Sequence, residues 1–430
     1  MTLAAARAAA SADDPTPTSS PTPAPTPAAS PAPAPGGLRY PYGRQDITDA
    51  DIAAVVAALR GDLLTCGPAV GAFEAALGQA LGARHVTVCS NGTAALHLAY
   101  ASLGLGAGDE VITSPITFSA TASAAYQVGA TVRFADVDPA TGNLTPASVE
   151  ALIGPRTRAI TAVHLGGQPA DLDDLARLAR AYGLWLVEDA CHALGATYRG
   201  AKVAGGQADA AVLSFHPVKH ITSGEGGAVV FRDAVHQRHA QRLRHHGLER
   251  DPARFSRPSP GPWYHEVVEQ GFNYRLPDLN CALGLSQLTR LAANVSRRRA
   301  IARRYRAAIE ARWGARGPVQ APVELADRAS AYHLFAAAID FAGLGVDRGA
   351  VMTALAGRGI GSQVHYIPLH QQPFHRARAG SHADLPRPGT DHYYQRTLSL
   401  PMYPQLTDAA VDEIVDALAQ VIAELPESKP

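Results

Sequence analysis

The sequence predicts an α/β protein: a large domain around an open, mostly parallel sheet, followed by a smaller C-terminal α/β domain. Three observations predict it. Between about residues 85 and 231, short strand-like runs alternate with helical patterns. Strands separated by helices pair in parallel, with helices covering both faces of the sheet. From about Asn280 onward helical pattern dominates, which marks a second body. A chain of 430 residues has room for both cores. The expected boundaries are 1–38 for an N-terminal tail, 39–280 for the large domain and 281–430 for the small one.

Taken in order, the tail is set apart by composition. The segment PTPTSSPTPAPTPAASPAPAP, residues 15–35, alternates Pro with Ala, Thr and Ser. That composition favours extended polyproline-like chain over a packed core, so the tail is expected to be disordered. It lacks a Leu/Val-rich run after its early Arg7, so it does not read as an export signal. Ordered structure is expected from about Tyr40. Thr48, with Asp51 three positions on, starts a helix whose Ile52, Val55, Val56 and Leu59 share one face. Gly61 and residues 63–68 (LLTCGP) end it in a loop.

His85–Cys89 reads as a strand, and Ser90-Asn91-Gly92-Thr93 turns into an Ala/Leu-rich helix through Tyr100. Further strands are expected at Glu110–Thr113, 131–135 and 158–164, with a loop running into a helix over 115–126. Leu172–Tyr182 is an amphipathic helix, and the apolar strand 184–187 ends in Glu188-Asp189-Ala190. Two more strands, 210–215 and 227–231, bracket a turn-rich segment holding Lys219. Helical pattern dominates over 282–309. Its Arg-rich stretches read as a solvated face, because no nucleic-acid motif accompanies them. The chain closes with a helix over 407–425, where Val411, Ile414, Val415, Leu418 and Ile422 keep helical spacing.

Composition excludes several function classes. The chain is 47% hydrophobic and 18% charged with a formal net charge of +0, so no charge excess draws it to nucleic acid or an anionic membrane. Its apolar runs are too short to span a membrane. Cys66, Cys89, Cys191 and Cys281 are widely spaced, without C-x-x-C or metal-ligand spacing. They read as buried free thiols in a reducing cytoplasm. His245, His246 and His265 have no clean ligand spacing with acids or thiols, so no metal is expected.

Chemistry is expected where parallel strands end. Three such ends carry groups that suit one ligand. The Ser90–Thr93 turn offers helix-start N–H groups and hydroxyls to an anion, best a phosphate. Asp189 ends a strand as apolar as Leu-Trp-Leu-Val, where a carboxylate needs a cation or strong hydrogen bonds; a simple helix cap is the plainer alternative. Lys219 follows another apolar strand in a chain with only three lysines (Lys202, Lys219, Lys429) against a Lys+Arg total of 38. Unlike Arg, Lys can be desolvated, deprotonated and used as a nucleophile. Anion cradle, buried carboxylate and lysine together match the needs of pyridoxal phosphate: its phosphate, its pyridine nitrogen and its aldehyde.

The stretches GTAAL (92–96), SPITFSATA (114–122), VEDACHALG (187–195), SFHPVKHITSGEGG (214–227) and GFNYRLPDLNCALGLSQL (271–288) resemble the DegT-type nucleotide-sugar aminotransferases. These are pyridoxal-phosphate enzymes of fold type I, and the likeness runs from Tyr40 to the C-terminus. Within that family, HPVKHITSGEGG and HGLER are most similar to the pseudaminic-acid branch. The resemblance implies amino transfer from L-glutamate to C-4 of a UDP-4-keto-6-deoxy-N-acetyl-hexosamine in a cytoplasmic homodimer. It implies that Lys219 carries the cofactor through its amine and shuttles a proton, and that Asp189 pairs with the pyridine nitrogen. Gly92, Thr93 and Ser214 would hold the phosphate, and Phe118 would stack on the ring unless it is ordinary core. His192, where many relatives have Gln, would sit near the phenolic oxygen. Asn273 would reach the partner's cofactor phosphate. Substrate contacts would come from Tyr42, the loop Leu64, Thr65, Cys66 and Gly67, and His365 with Tyr366.

Competing readings are a C-3 or dTDP-sugar aminotransferase and a cofactor-bound sensory protein. A sugar 3-dehydratase of the same family would carry His in place of Lys219. A nicotinamide dehydrogenase would need G-x-G-x-x-G after a first strand, and Gly104-Leu105-Gly106-Ala107-Gly108 lacks that spacing.

Overall fold

The computed structural model describes residues 37–425, so the expected tail lies almost wholly outside the described residues. Helix α1 (Asp49–Leu59) starts as expected, with the Asp51 carboxylate accepting from the Thr48 N–H (2.8 Å) and hydroxyl (3.0 Å). The same carboxylate accepts from Ser286 (2.7 Å), Gln287 (2.8 Å) and Arg290 (2.7 Å). This polar anchor corrects the expected packing of α1. Asp51 is fully buried, whereas Ile52, Val56 and Leu59 are turned outward and exposed. Five hydrogen bonds to one buried carboxylate outweigh the apolar stripe in choosing the inward face. Helix α2 (Pro68–Leu81) follows, with Pro68 at its first position.

The central sheet uses strands β1 (His85–Cys89), β2 (Glu110–Thr113), β3 (Thr131–Phe134), β4 (Thr157–Val163) and β5 (Trp185–Asp189). A small hairpin, β6 (Thr197–Tyr198) and β7 (Ala201–Lys202), precedes β8 (Ala210–Ser214) and β9 (Gly227–Phe231). The sheet order is β1-β9-β8-β5-β4-β2-β3, and β9 alone runs antiparallel to its neighbours. Side chains of successive strand residues point to opposite faces. Thus Ala210, Val212, Val229 and Phe231 pack under helices α3 (Gly92–Ser102), α4 (Ala120–Gln127) and α7 (Ala234–Arg244). Ala211, Leu213, Ala228 and Val230 join α2 on the other face. Farther along that face, Ile112 and Ile160 meet α5 (Pro146–Glu150) and α6 (Leu172–Tyr182). Both faces are dry, which is why these strands read as apolar runs.

After a short pair, β10 (Leu248–Glu249) with β11 (Glu266–Val267), the helical stretch expected over 282–309 is divided between two helices, α8 (Asp278–Leu288) and α9 (Leu291–Trp313). No Gly or Pro marks the break. Tertiary ties make it: the N–H groups of Thr289 and Arg290 bond three residues back, and the Arg290 side chain reaches Asp46 (2.6 Å) and Asp51. Beyond α9 come β12 (Val319–Gln320), β13 (Arg328–Ala329, paired with β6), β14 (Phe335–Ile339), α10 (Arg348–Gly357), α11 (Pro373–Ala379), α12 (Pro388–Arg396), β15 (Thr397–Leu400) and α13 (Asp408–Glu424). β12, β14 and β15 form a separate three-stranded sheet. It shares a core with Ile301, Tyr305 and Ile309 of α9 and Val411, Ile414 and Leu418 of α13. Burying each such aliphatic side chain stabilises by about 1.5–3 kcal/mol.

Candidate active site

The carboxyl edge of the sheet is shaped by close backbone approach. Asn91 caps α3, its side-chain oxygen accepting from the Ala94 N–H at 2.8 Å. The first-turn N–H groups, at Gly92 and Thr93, therefore face outward with no partner inside the helix. A Cβ on Gly92 would sit 3.1 Å from the Ser214 Cβ, and one on Gly227 would lie 2.4 Å from the Asn91 carbonyl oxygen. Only glycine lets β9 run this close beneath the turn.

Asp189 ends the middle strand of the seven and is 6% exposed. One carboxylate oxygen accepts from the Thr121 hydroxyl at 2.7 Å and the other from the Cys191 N–H at 3.3 Å. Lys219 stands in the turn after β8. The Phe215 carbonyl ties that turn shut, accepting from the Ser223 N–H and the Thr222 hydroxyl, both at 3.0 Å, while the Phe215 N–H donates to Gly226. Burial lowers the Lys219 pKa, with Cys191 and Asp189 pulling it back up and Arg298 pushing it further down. A larger share of free amine at neutral pH is the result.

Facing this edge is a wall of histidines and Tyr366. The Lys219 Nζ lies 3.3 Å from the Nε2 of His333, and the rings of His333 and His192 are 4.3 Å apart. His192 Nε2 meets the Tyr366 hydroxyl at 3.2 Å. Burial, seconded by the charge of Lys219, holds His192 and His333 well below the usual imidazole pKa and pushes His365 down to about 4. Burial likewise raises the Tyr366 phenol. The wall is therefore uncharged at neutral pH.

One cavity of about 1090 Å³ joins edge and wall. Of the expected residues, Tyr42, Gly92, Thr93, Phe118, Asp189, His192, Ser214, Lys219, His365 and Tyr366 line it. Phe118 is 61% exposed there, so it is no core residue. Leu64, Thr65, Cys66, Gly67 and Asn273 do not line it. Cys66 and Gly67 border a second cavity of about 410 Å³ with Arg238, Arg250 and Arg275. Asn273 is exposed and bridged to His245. Cys66 is exposed too, which corrects the expectation of buried thiols at that position. Sequence reading missed Thr121, His333 and the α11 wall of Phe374 and His375. Thr121 lies inside the quoted SPITFSATA stretch and was within reach; His333, 114 positions from Lys219, left no signal.

Residues 45–419 match the model of the DegT/DnrJ/EryC1/StrS aminotransferase family. The chain belongs to that family. Among its relatives is the spore coat polysaccharide biosynthesis protein SpsC of Bacillus subtilis (strain 168), 38% identical over 385 residues, 89% of this chain and 97% of that one. Among solved structures, Helicobacter pylori PseC, an aminotransferase involved in the biosynthesis of pseudoaminic acid, superposes with a TM-score of 0.82 at 30% identity. That match covers 90% of this chain and 100% of that one. The putative sugar aminotransferase Spr1654 from Streptococcus pneumoniae, in its PMP form, reaches 0.81 at 28% identity, covering 89% and 98%. This DegT-family member is a pyridoxal-phosphate-dependent sugar aminotransferase of the α/β class.

The residues present fit that cofactor. A helix N-terminus with glycine and hydroxyls suits a phosphate, a carboxylate and an amine stand in the same cavity, and the buried His192 Nδ1 has no partner among the described residues.

Proposed function

We propose that the protein transfers an amino group from L-glutamate to the C-4 keto group of a UDP-4-keto-6-deoxy-N-acetyl-hexosamine, in amino-sugar synthesis of the pseudaminic acid type. The observation that carries the reading is the convergence of Lys219, Asp189 and the α3 N-terminus on one cavity of about 1090 Å³. That volume lies at or beyond the roughly 300–1,000 Å³ of a small-ligand site and suits a cofactor together with a nucleotide sugar. Likeness to PseC supports the choice of sugar.

When bound, pyridoxal phosphate supplies an electron sink for the carbon that exchanges its amine. Gly92, Thr93 and Ser214 hold the phosphate through N–H and hydroxyl donors. Asp189, oriented by Thr121, keeps a proton on the pyridine nitrogen. Lys219, its amine partly neutral through burial, carries the cofactor and then moves the proton at the reacting carbon. Phe118 and His192 orient the ring, His192 being steadied by Tyr366. Tyr42, His365 and Tyr366 contact the sugar.

The working unit in this reading is a cytoplasmic homodimer. Ile52 and Leu59 of α1 and Leu63 and Leu64 just beyond it are exposed apolar side chains, which a second copy would cover. Asn273 and the Leu64–Gly67 loop stand outside their own chain's cavity, so they serve it only across such an interface. Residues 39–280 and 281–430 are its large and small domains. The test is a panel of keto-sugar nucleotides with L-glutamate. UDP-4-keto-6-deoxy-N-acetyl-altrosamine should give 2-oxoglutarate; turnover of only C-3 ketosugars or dTDP sugars would discard the substrate assignment and leave the chemistry standing.

A further inference from the structure

We propose that His333 is the positioning residue that aims the Lys219 amine, an inference that rests on reading Lys219 as the cofactor-carrying lysine. Among the described residues, His333 Nε2 at 3.3 Å is the one hydrogen-bond partner of Lys219 Nζ. Among the described residues the ring of His333 makes no other polar contact, its Nδ1 being buried and without a partner there. A buried imidazole nitrogen left bare costs about 1–3 kcal/mol, so packing alone is a poor reason to keep histidine here. Its two flat neighbours, His192 at 4.3 Å and His220 at 5.7 Å between ring centres, clamp the ring in place.

The backbone that presents the ring is fixed from two sides. Gly166 and Gly167 accept from the N–H groups of Leu334 (3.2 Å) and Ala331 (3.0 Å). Gly167, at φ +103, comes so close that a Cβ on it would lie 2.7 Å from the Tyr332 nitrogen and 3.0 Å from the His333 nitrogen. Tyr332 itself sits at φ +47, a left-handed conformation that a bulky residue adopts only under constraint. From the far side the buried Arg298 donates to the carbonyls of Tyr332 (3.2 Å), His333 (3.3 Å) and Met402 (3.0 Å). So much constraint spent on one imidazole, whose single polar contact is the reactive amine, is the signature of a group held for aim.

The chemistry agrees. Burial keeps His333 neutral, so Nε2 can accept an N–H from the neutral amine. The lone pair of Lys219 is then left free for the aldehyde carbon. Condensation joins nitrogen to that carbon and releases one water. Without the acceptor the four-carbon stem of Lys219 samples its other rotamers, and misplacement of a reacting group by about 1 Å slows reaction by up to roughly a hundredfold.

The test uses the full chain, stripped of cofactor and then mixed with pyridoxal phosphate. Covalent attachment is trapped with borohydride at timed intervals and counted by intact mass; non-covalent affinity is measured separately on Lys219→Ala and on its His333→Leu double variant. His333→Leu should attach cofactor roughly tenfold or more slowly than the parent. His333→Gln, whose amide can reach Nζ, should recover most of the rate. Affinity in the Lys219→Ala background should change less than about threefold on adding His333→Leu, since the phosphate grip lies on the opposite edge. Attachment by His333→Leu at the parental rate, or equal slowing in both variants, would overturn the inference. Should His333→Leu melt far below the parent, His333→Met takes its place with the same expected outcome. Covalent trapping by the single variant Lys219→Ala would instead overturn the reading of Lys219, so the two failures are distinguishable.

Discussion

The sheet edge and the wall opposite it face the same cavity but are held in different ways. The edge is backbone-built. Gly92 and Gly227 allow main chains to touch, Asn91 caps its own helix, and the Phe215 carbonyl closes the Lys219 turn within a few residues. The wall leans partly on a long side chain: Arg298 grips the 332–333 carbonyls and Met402, while Gly166 and Gly167 accept from the Leu334 and Ala331 N–H groups on the other side. A backbone-built edge cannot shift without losing ladder hydrogen bonds, which suits holding a cofactor. A wall that leans on side chains is more easily re-cut by substitution. Changes at the edge should therefore strike chemistry, and changes at the wall, apart from His192 and His333 beside the cofactor amine, should strike substrate fit.

The largest break in that contrast is expected at Asp189. Asp189→Asn keeps the shape but weakens the pyridine-nitrogen partner, so turnover should fall on the order of a hundredfold or more. Cofactor content, read by absorbance after dialysis, should stay near parental. Near-normal turnover would remove Asp189 from the chemistry. A smaller effect is expected at Tyr366→Phe, which takes away the 3.2 Å hydrogen bond to His192. One such bond corresponds to roughly a tenfold loss in kcat/KM. The loss should fall mainly on the keto-sugar half-reaction; equal damage to the glutamate half would blur edge and wall.

The smallest effect on activity, and a measurable one on stability, is expected away from both. Asp51→Asn breaks the α1 anchor and should destabilise by about 2 kcal/mol in denaturant titration at pH 7. Although burial works to raise the Asp51 pKa, hydrogen bonds from Ser286 and Thr48 win and hold it below the ordinary value. A carboxyl depressed in the folded state stabilises above its unfolded pKa, and loses that contribution as pH falls through the folded one. The parent should thus lose stability below about pH 4, and Asp51→Asn should lose less over the same range. A parallel pH dependence in both proteins would contradict the anchor.

The contrast also explains what could be read from the chain. β1, β2, β9 and α6 lie where the residue pattern puts them, and Asp189, Lys219 and Gly92, which line one cavity, could be singled out as candidates because strand ends and turns are local. The outward face of α1 and the break at Arg290 were not legible. Both are decided by Asp51 and its partners, from Thr48 three residues away to Arg290 239 residues away, and no local period encodes the distant ones. His333 escaped for the same reason, since the glycines and the arginine that fix it come from elsewhere in the chain. Cys66 and Asn273 were read from family likeness, and one chain alone leaves them outside the cavity.

The central claim is that the amine of Lys219 carries the cofactor. The most direct measurement is borohydride reduction of the holoenzyme followed by peptide mapping, with only Lys202, Lys219 and Lys429 to choose among. Lys202 is exposed and donates to the Ala80 carbonyl at 2.7 Å, away from the cavity. The account predicts the reduced cofactor mass on the peptide holding Lys219, in one copy per chain, and none in Lys219→Ala. Cofactor on another lysine, or undiminished labelling of Lys219→Ala, would contradict it.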